Sequence, residues 1–417
     1  MTPFRHLAPV LPLFTLLLSG GAGVADAQRA PACSPDNGGI TLPPGFCALL
    51  VGENLGPVRH LAVAPNGDIW AARRGPEGGL VHLRDTTGDG RMDVVRRVFA
   101  NQGGGSGIAI VGDALYYAPD DRVLRFPWPQ GQAAPDTTPQ IIVRGLPVRG
   151  HGAKGIVIGR DGALYVSLGS LTNSCQQRDR QNASPGHRPC HELEQRAGIW
   201  KFDSRREGQH AHLAARFATG LRNAMALSIE PTTGTLHAAV HGRDQYAANW
   251  GWPELESQEN PAEEFFALQQ GTDGGWPYCY FDPRKKQKLQ NPEYGGDGQK
   301  AGDCGRAAAP VLAFPAHWAP NASLFYTGTQ FPASHRSGVF VAFHGSWNRA
   351  PAPQQGFRVV FAPFQNGKAV GTFDTFAAPA GDPTSIRFSG LAVGPDGSLY
   401  IGADAQGKVW RVMAQGR

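Results

Sequence analysis

The sequence predicts an all-β fold, a six-bladed β-propeller, and three observations predict it. The 417 residues include 55 Gly and 34 Pro, a composition for many short strands and turns rather than long helices. A unit of apolar strand, Gly-containing turn and second apolar strand recurs six times, at an average interval of roughly 60 residues, as propeller blades do. Polar residues stand just ahead of each unit. A single large β-sandwich would account for the strands but not for these recurring polar positions.

Taken in order, the chain opens with Arg5 and His6 ahead of an apolar run over 11–18, and Ala25-Asp26-Ala27 fits a small-residue cleavage site. This predicts an export signal over 1–27 and a mature chain, 28–417, that is periplasmic or secreted. The run falls short of the roughly 20 apolar residues a membrane span needs, so a retained anchor is the weaker reading and stable membrane insertion is not expected. A short strand at 46–51 follows a Pro-rich lead. The six units are HLAVAPNGDIWAARR (60–74), GIAIVGDALYYA (107–118), GIVIGRDGALYVSLG (155–169), ALSIEPTTGTLHAAV (226–240), the looser SGVFVAFHG (337–345) and GLAVGPDGSLYIGAD (390–404). In the third, Ile156-Val157-Ile158 is one strand, Asp161-Gly162 the turn and Leu164-Tyr165-Val166 the return. Outer strands are expected at 79–84, 122–126, 198–202, 357–363 and 409–412. The strand at 46–51 would close the ring beside 409–412, which removes the open sheet edges. The interval after the fourth unit carries an insertion, 244–310, read as a loop excursion over one face.

Net charge is +5 with a pI near 8.9. Over this length that is too weak for a nucleic-acid partner, and no Lys/Arg run supports one. Six cysteines in an exported chain read as disulfides, with the neighbour pairing 33–47, 175–190 and 279–304 the simplest connectivity. No CxxC or CxxCH occurs, which argues against a zinc knuckle and a covalently attached c-type haem.

The pre-strand positions hold the chemistry. They are Arg59 and His60, then Gln102, then His151 and Lys154, then Arg222 and Asn223, then His317, and last Arg387. Innermost strands line the central channel of a propeller, so their entry loops converge on one mouth. An isolated His or Arg on a loop is usually solvated surface; recurrence at one structural position favours a cationic, donor-rich ring suited to a polyanion. The Gly-rich contexts of His151 and His344 argue against core packing. DTTGDGRMD, from Asp85 to Asp93, has the spacing of a Ca²⁺ loop, yet Thr87 replaces an acid and Arg96 stands where the bidentate Glu belongs. A plain hairpin turn is the competing reading.

GHGAKGIVIGRDGALYVSLGS, GLRNAMALSIEPTTGTLHAAVHGRD, GGWPYCY, HWAPNASLFYTGTQFP and FVAFHGSWNR, over nearly the whole mature chain, resemble the quinoprotein glucose/sorbosone dehydrogenase family, the last three its sorbosone-dehydrogenase-like branch more closely than soluble glucose dehydrogenase. The resemblance implies a six-bladed propeller holding pyrroloquinoline quinone (PQQ) and Ca²⁺. It makes His151 the general base and Gln102 a residue of the sugar side. Arg222 and Asn223 match the pair that contacts the quinone. His241, Gly242 and Arg243 match a short loop whose main-chain oxygens, those of Gly242 and Arg243, bind the calcium. Arg387 matches an arginine that grips PQQ carboxylates, while Ser389 occupies the place of a second. Gly150 replaces an acid beside the base. The family's quinone-touching lysine has no clear counterpart, so His344, Asn348 or Arg349 would serve; Lys154 and His317 join the cofactor side by their place in the ring.

The implied activity is PQQ- and calcium-dependent oxidation of an aldose or sugar-derived aldehyde. Electrons would pass to an external acceptor, a cytochrome or quinone. Two other readings compete. A propeller lactone hydrolase would want inward carboxylates around a metal. A non-catalytic propeller that binds carbohydrate or protein would explain Trp250, Trp252, Trp318 and Trp347.

Overall fold

The computed structural model describes residues 1–2 and 31–415. The expected export signal therefore lies almost wholly outside the described residues. No helix among them is long and apolar enough to cross a membrane.

Residues 31–415 form a six-bladed β-propeller. The inner strands, in blade order, are Val58–Val63, Gly105–Val111, Ile156–Ile158, Ala226–Ile229, Pro320–Phe325 and Phe388–Val393. Each pairs antiparallel with a second strand, and two further strands follow outward. The third blade shows how sequence sets register. Asp161-Gly162 turns the chain, with Gly162 at φ +79°, so Ile158 faces Leu164 and Ile156 faces Val166. The ring closes as expected: Phe46–Gly52 pairs antiparallel with Lys408–Ala414, setting Ala48 against Val412 and Leu50 against Trp410. The last blade thus joins the two ends of the propeller.

Apolar side chains of neighbouring blades pack against each other. Tyr116 and Val123 of the second blade meet Leu164, Val166 and Trp200 of the third, all buried. The fifth unit differs from its reading in one respect. SGVFVAF is the second strand of its blade, Gly338–Phe343, and the inner strand is Pro320–Phe325. No compact Gly turn joins the two, which is why the repeat looked loose. Residues 244–310 contribute two short helices, Tyr246–Trp250 and Glu254–Glu259, and the hairpin Cys279–Asp282 with Gln287–Gln290. They also supply Glu263–Leu268, the third strand of the fourth blade. Cys33–Cys47, Cys175–Cys190 and Cys279–Cys304 are disulfide-bonded, the neighbour pairing.

Candidate active site

In an antiparallel blade the inner strand begins where the second strand ends. Each blade therefore delivers two sets of residues to the same mouth. The first set stands at or just ahead of the start of each inner strand, and Arg59, His151, Arg222, Asn223 and His317 from it line one cavity of about 400 Å³. The second set follows the second strands: Arg74, Asp120, Ser170, His241, His344 and Asp404 stand just past Arg73, Pro119, Leu168, Val240, Phe343 and Ala403. Arg74, His241 and His344 line the cavity. Asp120, Ser170 and Asp404 hold residues that do.

The guanidinium groups come with their counter-ions. Arg74 takes Asp120 through two bonds of 3.1 Å. Arg59 Nε lies 3.1 Å from Asp404, an ion pair without hydrogen-bond alignment. Arg222, buried, donates to the Gly242 carbonyl at 2.7 Å, to Asn173 and to Asp244 at 3.1 Å. Arg180 meets the same Asp244 carboxylate at 3.0 Å, and Asn348 Nδ2 donates to its other oxygen at 2.9 Å. Burial opposes ionisation of Asp244, yet Arg222, His317 and Arg180 together hold it down to about 2. Glu263 lies beside this cluster and accepts the backbone N–H groups of Gly242 and Ala319 at 2.8 and 3.1 Å. Burial outweighs those donors and pushes its carboxyl up to about 8.

Hydrogen bonding separates the histidines. His151 Nδ1 is 3.0 Å from both the Ser170 carbonyl and the Ser170 hydroxyl. That hydroxyl gives its own proton to the Thr172 carbonyl at 2.7 Å, so both Ser170 oxygens act as acceptors towards the ring. The ring proton is therefore on Nδ1 and the lone pair on Nε2. Burial, and then the charge of Arg222, lower the His151 imidazole to about 3, so it is neutral across the physiological range. His241 spends Nε2 on the Pro320 carbonyl at 2.9 Å, and burial lowers it to about 4. His317 donates to the Ser257 carbonyl at 2.8 Å and faces Asn348 Nδ2 through Nδ1 at 3.4 Å. His344 is tied to Asp404 at 2.8 Å. His151 thus joins an available Nε2 to a fixed ring.

Six residues predicted from sequence stand off the cavity wall. Lys154 is fully buried behind the His151 loop and donates to the carbonyls of Pro147 and Gly152. Arg349 is buried against the Gln258 carbonyl and Glu259. Gln102 ends a short 3₁₀ turn, where Arg122 holds its carbonyl at 2.8 Å. Arg387 sits behind His344, stacked 4.9 Å over Phe357 and bonded to the carbonyls of His344 and Gly345 at 3.1 Å. Gly242 lines the cavity, while the Arg243 side chain is buried on Glu293 and over the Tyr246 ring. His60 lies deeper, bonded to the Asn321 carbonyl at 2.7 Å among the apolar walls of the axial channel.

Sequence reasoning missed Arg74, Arg180, Asp244, Glu263 and the two aspartates Asp120 and Asp404. For Arg74, Asp120 and Asp404 a signal existed, because the residue just after each second strand recurs as the pre-strand residues do. Asp244 is the last residue of the quoted stretch GLRNAMALSIEPTTGTLHAAVHGRD. Arg180 and Glu263 had none.

The donor set fits a polyanionic quinone. Four arginines, Asn223 and Asn348 surround the cavity, and Asn348 Oδ1 is buried without a partner among the described residues, an acceptor for a ligand hydroxyl. For calcium, Gly242 and Asp244 both line the cavity, and a main-chain oxygen with a carboxylate is the oxygen chemistry that ion takes. No three His, Cys, Asp or Glu side chains gather for a metal among the described residues, so such a site would rest on backbone oxygens. In the 85–93 loop the acids close the turn themselves. Asp85 accepts the N–H groups of Thr87, Gly88 and Gly90 at 3.0, 2.7 and 2.7 Å, and Asp93 that of Thr86 at 2.6 Å.

A pyrroloquinoline quinone-dependent pyranose dehydrogenase of Coprinopsis cinerea is 28% identical over 228 residues, which span 46% of this chain and 30% of that protein. The holo form of the pyranose dehydrogenase PQQ domain from Coprinopsis cinerea superposes with a TM-score of 0.74 at 20% identity, covering 90% of this chain and 97% of that one. The calcium structure of a Trichoderma reesei carbohydrate-active enzyme of family AA12 gives 0.74 at 18% identity, with coverage of 90% and 97%. At these identities the solved structures carry the fold. The model described as TrAA12-like matches residues 40–415, and the chain belongs to the TrAA12-like family.

Proposed function

We propose that this protein is an oxidoreductase that uses PQQ and calcium to oxidise a sugar, either an aldose or a sugar-derived aldehyde, and passes the electrons to an external cytochrome or quinone. One observation carries the reading: His151, its Nδ1 committed to Ser170 and its Nε2 lone pair available, stands in a cavity walled by four arginines. The names of the C. cinerea relative and its PQQ domain support the cofactor, and that of the T. reesei structure supports calcium.

Arg59, Arg74, Arg180 and Arg222 would hold the carboxylates of PQQ, with Asn223 and Asn348 as further donors. The main-chain oxygens of Gly242 and Arg243 would hold calcium beside Asp244. Once bound, the quinone supplies a hydride acceptor and the calcium a Lewis acid. His151 takes the proton of the sugar hydroxyl at Nε2, and the imidazolium so formed keeps its Nδ1–H on Ser170. Because burial keeps the ring neutral, the base is ready without a prior deprotonation. Trp347, 62% exposed at the cavity rim, offers an apolar platform to one face of a sugar ring. Three disulfides suit an oxidising compartment, periplasmic or extracellular.

The test is paired. Apo-protein is reconstituted with PQQ and Ca²⁺, and bound quinone is followed by absorbance while a sugar panel is offered with a dye acceptor. His151→Ala should retain PQQ and lose about 10²–10⁴ in kcat. Wild-type turnover in that variant would remove His151 from the chemistry, and failure of the wild-type protein to bind PQQ would end the whole reading.

A further inference from the structure

Lys154 is the buried cation that the proposed chemistry leaves unused. Its side chain is wholly buried, and no carboxylate pairs with it among the described residues. Burial lowers its ammonium to about 8, with Asp120 and Asp121 supporting the charge and Arg196 and Arg74 opposing it. A methionine would fill the same volume without a charge to desolvate. The retained charge therefore calls for a use, and the hydrogen bonds show one. Nζ donates to the Pro147 carbonyl at 2.8 Å and to the Gly152 carbonyl, so its two partners bracket His151 in the chain.

The loop between them has little room to move. A Cβ on Gly150 would fall 2.4 Å from the Leu171 carbonyl oxygen, and one on Gly152 would fall 2.2 Å from that of Val148. Gly150 sits at φ +66°, which other residues rarely adopt. His151 N–H donates to the Ser170 carbonyl at 2.9 Å, the same oxygen its ring uses. Arg196 also holds the Arg149 carbonyl at 2.7 Å; beyond that contact, the Ser170 carbonyl and the Gly152-to-Gly150 turn bond of 2.9 Å, the lysine is what draws the two ends of the loop together.

We propose that Lys154 is a positioning residue, which clasps the Pro147 and Gly152 carbonyls from behind the loop and so holds the His151 imidazole on Ser170 with Nε2 towards the cavity. Its consequence for turnover rests on His151 acting as the base; the clasp itself does not.

The experiment uses the full chain and the variant Lys154→Met. Hydrogen exchange is read first, in the apo-protein, by peptides covering 147–155 and, as an internal reference, 163–168. The loop peptide should exchange about tenfold faster or more, the loss expected when hydrogen bonds closing a local unit are removed, while the reference stays unchanged. After reconstitution, kcat should fall about 10²-fold, the size of effect that roughly 1 Å of misplacement brings, with PQQ affinity and sugar KM within about threefold of wild type. Lys154→Gln, which keeps a donor without the charge, should fall between the two and serves if the methionine variant does not fold. Unchanged exchange of 147–155 overturns the clasp. So does faster exchange throughout the protein with a lower melting temperature, or failure of both variants to fold, because each marks a role in global stability. Faster loop exchange with wild-type kcat leaves the clasp standing and counts against His151 as the base.

Discussion

Asp244→Asn tests the charge network at the centre of the cavity. The Asp244 carboxyl is held at about 2 against an ordinary 3.8, and at 1.36 kcal/mol per pH unit that difference stabilises the folded protein by about 2.4 kcal/mol at neutral pH. Only 14% of the side chain is exposed, so solvent screening takes little from the figure. Removing one partner of a buried pair typically costs more, about 3–5 kcal/mol. The smaller value is preferred here because Arg222 keeps its bonds to Gly242 and Asn173. With an unfolding entropy of about 2.1 cal/mol/K per residue, the melting temperature should drop by about 3 °C. The sign with pH is fixed: a carboxyl lowered in the folded state stabilises fully above its unfolded value, and that stability is lost as pH falls from about 3.8 towards 2. Urea unfolding followed by tryptophan fluorescence at pH 7, 5 and 3 should show the gap between wild type and variant at the first two and a narrower one at the third. A variant as stable as wild type at pH 7, or a gap that does not change with pH, would refute the assignment of Asp244 as the shared counter-ion.

Gly152→Ala places a Cβ 2.2 Å from the Val148 carbonyl oxygen, so the His151 loop must shift; kcat should fall about 10²-fold while PQQ absorbance on reconstitution stays as in wild type. The paired change Cys175→Ser and Cys190→Ser opens a link of sequence separation 15 and should cost about 3 kcal/mol of stability, read by thermal melting. Because that link encloses Arg180, PQQ affinity should weaken in the same variant, measured by fluorescence quenching.

Strand periodicity and turn chemistry made the fold legible. Each Asn-Gly or Asp-Gly turn, as at Asn66-Gly67, Asp161-Gly162 and Asp396-Gly397, announces a hairpin on its own, and the recurrence of the unit along the whole chain leaves few architectures. The closing strand was legible because an apolar stretch ahead of the first unit has no partner there. The fifth blade was the hardest to read, since Phe325 and Gly338 are joined by a long connection rather than a two-residue turn. Where the inner strand follows closely on a polar residue, as with His151, Arg222 and His317, the side chain reached the cavity. Lys154 and Arg349 did not, because their side chains find carbonyl acceptors inside the protein before they reach the mouth. The number of intervening residues does not reveal such a choice.

The half of the site that went unread follows from the antiparallel geometry of a blade. The pattern legible in the sequence was the polar residue ahead of each inner strand; of the residues just after second strands only His241 and His344 stood out, although the same hairpin brings both sets to one end. Once paired, the two sets divide the work. Residues at the entries of the inner strands, such as Arg59, His151 and Arg222, present charge or a lone pair to the cavity. Asp404 and Ser170, from the second set, fix the direction of Arg59 and His151, and Asp120 does the same for Arg74 within that set. The orienting contacts of Arg59 and Arg74 cross from one blade to the next, the first across the closure of the ring. No local pattern could announce them, because each joins two blades and the first exists only once the ring has closed. Substitutions in the second set should therefore act by misdirecting the first set, and the ring closure at Phe46–Gly52 is as much a condition of the site as any side chain within it.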